Sequence, residues 1–290
     1  MLKSLRKTLI IGGLGLISLT GNVKGQNLVA HWNFDEGEGN VVNDSTGNEN
    51  NGTLNGGVSW TGDSFSGKAL RFDGTGKINI PNNPSFQLTE KVSIEAWIKR
   101  ENNLDGIVFS RNGPFFLGIR NNHIRGGVFN STGNWFEIEG TNNLAVGQWY
   151  KLSIQYDGNS VKGFVNEVKD GEILQSNGVH GSTGQPPYIG YGDGGHGGQA
   201  YFNGIIDDVK IYSDIIPKTP IILKNMSKQA DNFEFSFNSV PNKGYSVESS
   251  ANLIDWTNVA NVNGATNSFD TSVNLCNQID DFRFYRVKSD

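Results

Sequence analysis

From residue 28 onward, no stretch of this chain carries the apolar spacing of an amphipathic helix of ordinary length. Apolar residues alternate in short bursts instead. "VSIEAWIK" puts Val92, Ile94, Ala96 and Ile98 on one face and Ser93, Glu95, Trp97 and Lys99 on the other. "WYKLSIQY" turns Tyr150, Leu152, Ile154 and Tyr156 inward, and "LVAHWNF" aligns Leu28, Ala30, Trp32 and Phe34. A period of two is the pattern of strands, whose side chains point alternately to opposite faces. Clusters of Gly, Asn and Asp separate the bursts. There are 38 glycines, and only 18% of residues are charged. "GIVFSR", "FFLGIR" and "IRGGVF" are joined by the turns "NGP" and "NNH", and "YDGNSVKGFVN" is a hairpin signal. The chain is therefore expected to be all-β and antiparallel, of sandwich or jelly-roll type, with one face of each sheet packed and the other free to be wet.

The pattern starts after a different kind of segment. Lys3, Arg6 and Lys7 precede the apolar run "TLIIGGLGLISL" and the polar "TGNVKGQ". That is the layout of a signal peptide (residues 1–25), with Val23 and Gly25 at the −3 and −1 positions; a retained N-terminal anchor is the other reading. No Cys lies near the cleavage point, which argues against lipoprotein processing. The expected location is secreted or at the cell surface, with the periplasm as an alternative. No membrane insertion is expected once the leader is removed, because the run is short and polar sequence follows it. Removing its four cations (Lys3, Arg6, Lys7, Lys24) takes the formal charge from −5 to −9. An acidic protein is a poor partner for nucleic acid or anionic membrane. Cys276 is the only cysteine, so no intramolecular disulfide forms. Pro217 and Pro220 in "SDIIPKTP" mark a linker. They divide a large domain (26–216) from a small β-sandwich module (217–290), where "FEFSFNSV", "GYSVESS", "DWTNVANV", "SFDTSV" and "FRFYRVK" read as strands and Trp256 as core.

Five blocks in order carry a family resemblance: "VAHWNFDEGEGNVVNDSTGNENNGTLNGG", "ALRFDGTGKINIP", "VSIEAWIK", "GQWYKLSIQYDGNSVKGFVN" and "FNGIIDDVKIY". Together they resemble bacterial laminin-G-like domains of the concanavalin A-like lectin/glucanase fold, over roughly residues 28–213. The chain departs from the family in having Glu167 where a Gly often follows "VN", and in running into "SDIIPKTP" after the last strand. The C-terminal "YSVESSANLIDWTNVANV…FRFYRV" resembles small, loosely fibronectin-III-like modules of secreted bacterial proteins.

Such a fold also houses glycoside hydrolases and polysaccharide lyases. A retaining hydrolase needs two carboxylates about 5 Å apart. Within this fold an E-x-D-x-x-E strand commonly supplies them, and it is missing here. "SIEAWIKRE" has Glu95 and Glu101 with no Asp between, and the best couple is Glu137 with Glu139 in "NWFEIEG", which also reads as a solvated edge-strand face. No lyase motif surrounds His123, His180, His196, Tyr188 or Tyr191, and no nucleophile elbow, phosphate loop or His/Cys metal cluster is present. The expectation is a non-catalytic, lectin-like protein that binds a glycan or a cell-surface protein; the alternatives are a divergent hydrolase or lyase and a protein-binding adhesion module.

Sugar sites pair an aromatic platform with groups that bond hydroxyls. The candidates are Trp135 in "TGNWFE", then Tyr191, Asp193 and His196 in the glycine-rich "YGDGGHGGQ", which is expected to be a surface loop. Arg120 and Arg125, flanking "NNH", could engage a sulfate or uronate. Trp97, facing away from Val92 and Ile94, could pack under a neighbouring loop. In "FNGIIDDVKIY" strict alternation groups Asp207 with Ile205, Val209 and Ile211, facing the core, and sends Asp208 outward to solvent. A buried carboxylate must be paired or metal-bound. By the family resemblance Asp207 would be a structural calcium ligand, with Asp35 and Asp44 near it. Otherwise Asp207 accepts backbone N–H groups and Asp44 closes an Asx-turn.

Overall fold

The structure is a computed structural model that describes residues 10–12, 15–17, 27–181, 184–194, 198–216, 223–229, 232–239, 244–250, 255–264, 270–276 and 284–289. Two compact units divide the chain: Gln26–Pro217, and Lys218–Asp290 together with Met1–Gly25. In the N-terminal segment β1 (Ile10–Gly12) and β2 (Gly15–Ile17) form a two-stranded ribbon.

In the large unit the strands are β3 (Leu28–Trp32), β4 (Val41–Val42), β5 (Gly52–Asn55), β6 (Val58–Thr61), β7 (Ala69–Asp73), β8 (Lys77–Asn79), β9 (Val92–Arg100), β10 (Gly106–Arg111), β11 (Phe115–Arg120), β12 (His123–Phe129), β13 (Trp135–Glu139), β14 (Trp149–Tyr156), β15 (Ser160–Val165), β16 (Val168–Leu174), β17 (Pro187–Ile189), β18 (Tyr191–Gly194), β19 (Gly198–Tyr201) and β20 (Asn203–Tyr212). The first sheet runs β13-β12-β11-β10-β17-β8-β5-β4. The second runs β16-β15-β14-β9-β20-β7-β6, with β3 also paired to β20. Every pairing is antiparallel. The inward residues of both sheets merge into one core. Ile94, Ala96, Ile98, Leu152, Ile154 and Tyr156 of the second meet Leu117, Ile119, Ile124, Val128 and Ile138 of the first. Burying a side chain of this size stabilises the fold by about 1.5–3 kcal/mol. A Cβ on Gly126 would stand 2.3 Å from Ile154 Cγ1 and 2.8 Å from Phe116 O. Glycine there lets the sheets touch.

The alternation of β20 is broken, contrary to the sequence expectation. Asp207 pairs with Trp97 but Lys210 pairs with Glu95, so one extra residue bulges, and Asp208 takes a left-handed φ of 50°. The bulge reverses the phase of the strand. Ile206, Val209 and Ile211 face the core, whereas Asp207 joins Trp97 on the opposite face. There the loop 62–67 covers both. Phe65 lies flat on Trp97 (3.5 Å between centroids, 6° between planes) with Trp149 edge-on at 6.0 Å. Trp97 does pack under a loop, as expected. The glycine-rich "YGDGGHGGQ" stretch differs from a simple surface loop: β18 and β19 pair as a ribbon, and Tyr191 is buried.

The small unit holds β21 (Leu223–Gln229), β22 (Asn232–Asn238), β23 (Gly244–Ser250), β24 (Thr257–Asn263), β25 (Asp270–Cys276) and β26 (Phe284–Ser289). They form two three-stranded sheets, β21-β22-β25 and β24-β23-β26. Phe235, Phe237, Tyr245, Val247, Val273 and Leu275 make its core, and half-buried Trp256 stands outside that cluster.

Candidate ligand-binding face

One face of the first sheet closes the core. Its other face carries a line of residues in strict register across all eight strands: Glu137, Gly127, Phe116, Ser110, Tyr188, Asn79, Thr53 and Val41. With strands about 4.8 Å apart, the line is roughly 33 Å long. Two aromatic groups sit along it. Trp135 opposes Phe129 (5.3 Å between rings) and meets Phe116 edge-on at 5.6 Å, and His180 approaches Phe129 at 5.5 Å. Two strands over from Phe116, Tyr188 packs edge-on against Tyr191 (5.3 Å), which contacts Tyr201 at 4.7 Å. Lys77 Nζ lies 4.4 Å from the Tyr188 ring centre and 4.3 Å from that of Tyr191, a cation–π arrangement.

Four charged side chains flank the Trp135 group. Arg125 donates to Glu137 at 2.8 Å and lies over Phe116, 5.2 Å from its centre. Arg120 donates to Glu139 through Nη2 (2.6 Å) and Nε (2.8 Å), and its Nη2 is 3.3 Å from Glu137. Burial pushes the Glu139 carboxyl up, but the bonds from Arg120 and Asn121 and the Arg120 charge outweigh it, so its pKa lies below the ordinary value. Both carboxylates of the couple singled out in sequence are thus ion-paired, and Glu139 shows the reverse of the raised pKa a general acid requires. Arg120 and Arg125 have their charge matched locally by these same carboxylates.

The structure brings Trp135, Arg120 and Arg125 together and places Tyr191 with Tyr188 and Lys77. Asp193 lies in β18 opposite Gln199, its side chain not described, and His196 falls outside the described residues. Sequence reasoning missed Phe116, Phe129 and Lys77 as parts of this face. Outward alternation on β11 and β12 could have flagged the two phenylalanines. Lys77 had no local signal.

The three aspartates do different work. Asp207 is fully buried, and its Oδ2 accepts N–H bonds from Phe65 (2.9 Å) and Ser66 (3.0 Å). Its Oδ1 is buried without a partner. Burial, opposed by the two backbone bonds and reinforced by Asp208, pushes its pKa up to about 7. Asp35 grips the same loop, accepting from Lys68 N at 3.0 Å. Asp44 orders another, accepting from His31 N, Thr46 N, Thr46 Oγ1 and Asn50 N. Of the three, only Asp207 offers a cation an oxygen that is buried and unpartnered. Among the described residues no three His, Cys, Asp or Glu side chains are grouped for a metal. Calcium there would have to draw most of its six to eight oxygens from backbone carbonyls.

Asp208 is not the solvent-facing residue alternation suggested. It receives His31 Nε2 at 2.7 Å and pairs with Lys210. Burial raises its pKa, but His31 and Lys210 prevail and hold it at about 2. Beside them Glu95, itself buried, accepts from Tyr212 Oη at 3.0 Å and pairs with Lys151 at 3.1 Å. This network joins strands far apart in sequence, so alternation alone could not reveal it.

Two antiparallel sheets packed as a jelly-roll sandwich define the class of fold. The chain belongs to the concanavalin A-like lectin/glucanase superfamily, whose laminin-G-type family model matches residues 72–221. No curated protein matches it. Among solved structures it is similar to domain 4 of AbnA, a GH43 extracellular arabinanase from Geobacillus stearothermophilus, in complex with arabinotriose (22% identity, 66% of this chain and 95% of that one, TM-score 0.52). The binding domain of Paraclostridial Mosquitocidal Protein 1 is similar too (13% identity, 78% and 61%, TM-score 0.51). So is the binding domain of botulinum neurotoxin DC in complex with SialylT (13% identity, 76% and 57%, TM-score 0.51). The chain spans about three fifths of each toxin domain, and at these identities the likeness is one of fold. The family match ends at residue 221, so a fibronectin-III-like kinship for the small unit rests on its sequence resemblance alone.

Proposed function

We propose that the chain is a secreted, non-catalytic lectin-like protein that holds a glycan along the outer face of its first sheet. The carrying observation is the cross-strand line with Trp135 and Phe116 near one end and Tyr188 farther along. Rings offer apolar platforms for sugar faces, and Asn79 and the Arg–Glu pairs offer hydroxyl partners. The matched charges of Arg120, Arg125, Glu137 and Glu139 support binding without hydrolysis. The arabinotriose bound to the similar arabinanase domain makes arabino-oligosaccharides the first probe. A glycan array with the wild type, Trp135→Ala and Tyr188→Ala tests the reading, in calcium and in EDTA. Retention of one sugar class, weakened about tenfold or more by either substitution, is expected, since central aromatic anchors carry about 2 kcal/mol or more. Equal retention by all three proteins refutes the face. Release of cleaved product from a polysaccharide panel refutes the non-catalytic reading.

A further inference from the structure

Arg111 ends β10 and is 0% exposed. In register it stands between Phe115 and Pro187, on the face that Phe109 and Phe115 present to the core. The guanidinium therefore enters the end of the space between the sheets. None of its nitrogens (Nε, Nη1, Nη2) has a hydrogen-bond partner. Burial alone perturbs its ionisation, with no carboxylate contributing. Asn130 follows β12 at the same end of the sheet, because Val128 pairs with Phe115. It too is 0% exposed. Its Oδ1 accepts from Thr132 N, Thr132 Oγ1 and Asn134 N, while its Nδ2 has no partner.

A guanidinium stays protonated at any accessible pH, and a buried charge without a counter-charge is costly. Orphaned donors, one of them cationic, form the partner set of an anion. Full burial limits the occupant to something small. We propose that Arg111 and Asn130 hold a small monovalent anion, chloride in ordinary buffers, inside this end of the sandwich. The anion is the counter-ion of Arg111, and it stabilises the folded chain by mass action. This site lies on the core side of the first sheet and is independent of the glycan face.

The test melts the full chain in sodium chloride and in sodium gluconate at matched ionic strength. The melting temperature should rise by roughly 3–6 °C per tenfold increase of chloride above its dissociation constant. Arg111→Met should abolish that dependence. Should Arg111→Met fail to fold, Asn130→Asp carries the test. Its Oδ1 keeps the turn bonds and its second oxygen replaces Nδ2, supplying an internal anion that removes the need for chloride. Crystals grown in bromide should show anomalous density at Arg111. Identical melting in chloride and gluconate, a chloride response that survives both substitutions, or only water beside Arg111 in the bromide crystals would overturn the proposal.

Discussion

Replacing Asp207 with Asn keeps an oxygen to accept the Phe65 and Ser66 N–H groups and removes one ionisation. The folded chain holds the Asp207 proton more tightly than the unfolded chain does, with a pKa of about 7 against an ordinary 3.8. A raised carboxyl pKa contributes stability that is complete below about pH 4 and is lost as pH rises through about 7. Three pKa units correspond to about 4 kcal/mol, with a steepest slope of about 1.4 kcal/mol per pH unit. The assay is urea unfolding of the full chain in EDTA between pH 4.5 and 8, for wild type and Asp207→Asn. Every other titrating group is common to both proteins, so their difference isolates Asp207. Wild type should lose about 3 kcal/mol relative to the variant across that range, the first kcal/mol or so of the total being lost already below pH 4.5. A difference that stays constant with pH would mean the carboxylate is ionised throughout, and the argument from its unpartnered Oδ1 would fail.

Calcium bound at Asp207 must hold it ionised, so adding calcium should flatten that pH slope and raise the wild-type melting temperature but not that of Asp207→Asn; equal behaviour in calcium and EDTA would remove the metal from this site. Asp208 has the opposite linkage, with a pKa of about 2, so its contribution is present above about pH 4 and lost as pH falls through 2. Asp208→Asn, which tolerates the left-handed backbone, should cost about 2 kcal/mol at pH 7 in urea unfolding, a cost that shrinks steadily below pH 4. Gly126→Ala should destabilise by roughly 1–3 kcal/mol, read as a lowered urea midpoint with an unchanged slope, because its Cβ meets Ile154 and the Phe116 carbonyl.

The strands β9 and β14 were legible because their inward residues keep period two from end to end, and the β10–β13 meander because short apolar runs alternate with turn residues, although a bulge in β10 puts both Val108 and Phe109 in the core. The grouping of Trp135 with Arg120 and Arg125 follows from that meander, since adjacent hairpins place successive strands side by side. The approach of Lys77 to the tyrosines was not legible. It depends on β17 pairing with β8, strands more than a hundred residues apart, which no local pattern reports. The bulge in β20 left no mark because an aspartate, not a glycine, holds its left-handed position. Asp207 was correctly read as buried but on the wrong side of its sheet. Loop 62–67 buries it, and the sequence gives no sign that Phe65 should lie on Trp97. Nothing in "GIVFSR" distinguishes Arg111, buried at its strand end, from an arginine exposed there.

The bulge in β20 also sets how this chain can tolerate change in length. Asp208 is the one-residue offset that separates two half-strands of opposite phase. Exchanging its side chain alters a charge pair. Deleting the residue would join the halves into one uninterrupted ladder in which Asp207 stays opposite Trp97 under Phe65, and Val209 and Ile211 stay in the core opposite Ala96 and Ile94. Chains related to this one should therefore accept a missing residue at position 208, losing only the contacts to His31 and Lys210, whereas a one-residue gap elsewhere in β20 would turn one half-strand over and carry its apolar residues out of the core.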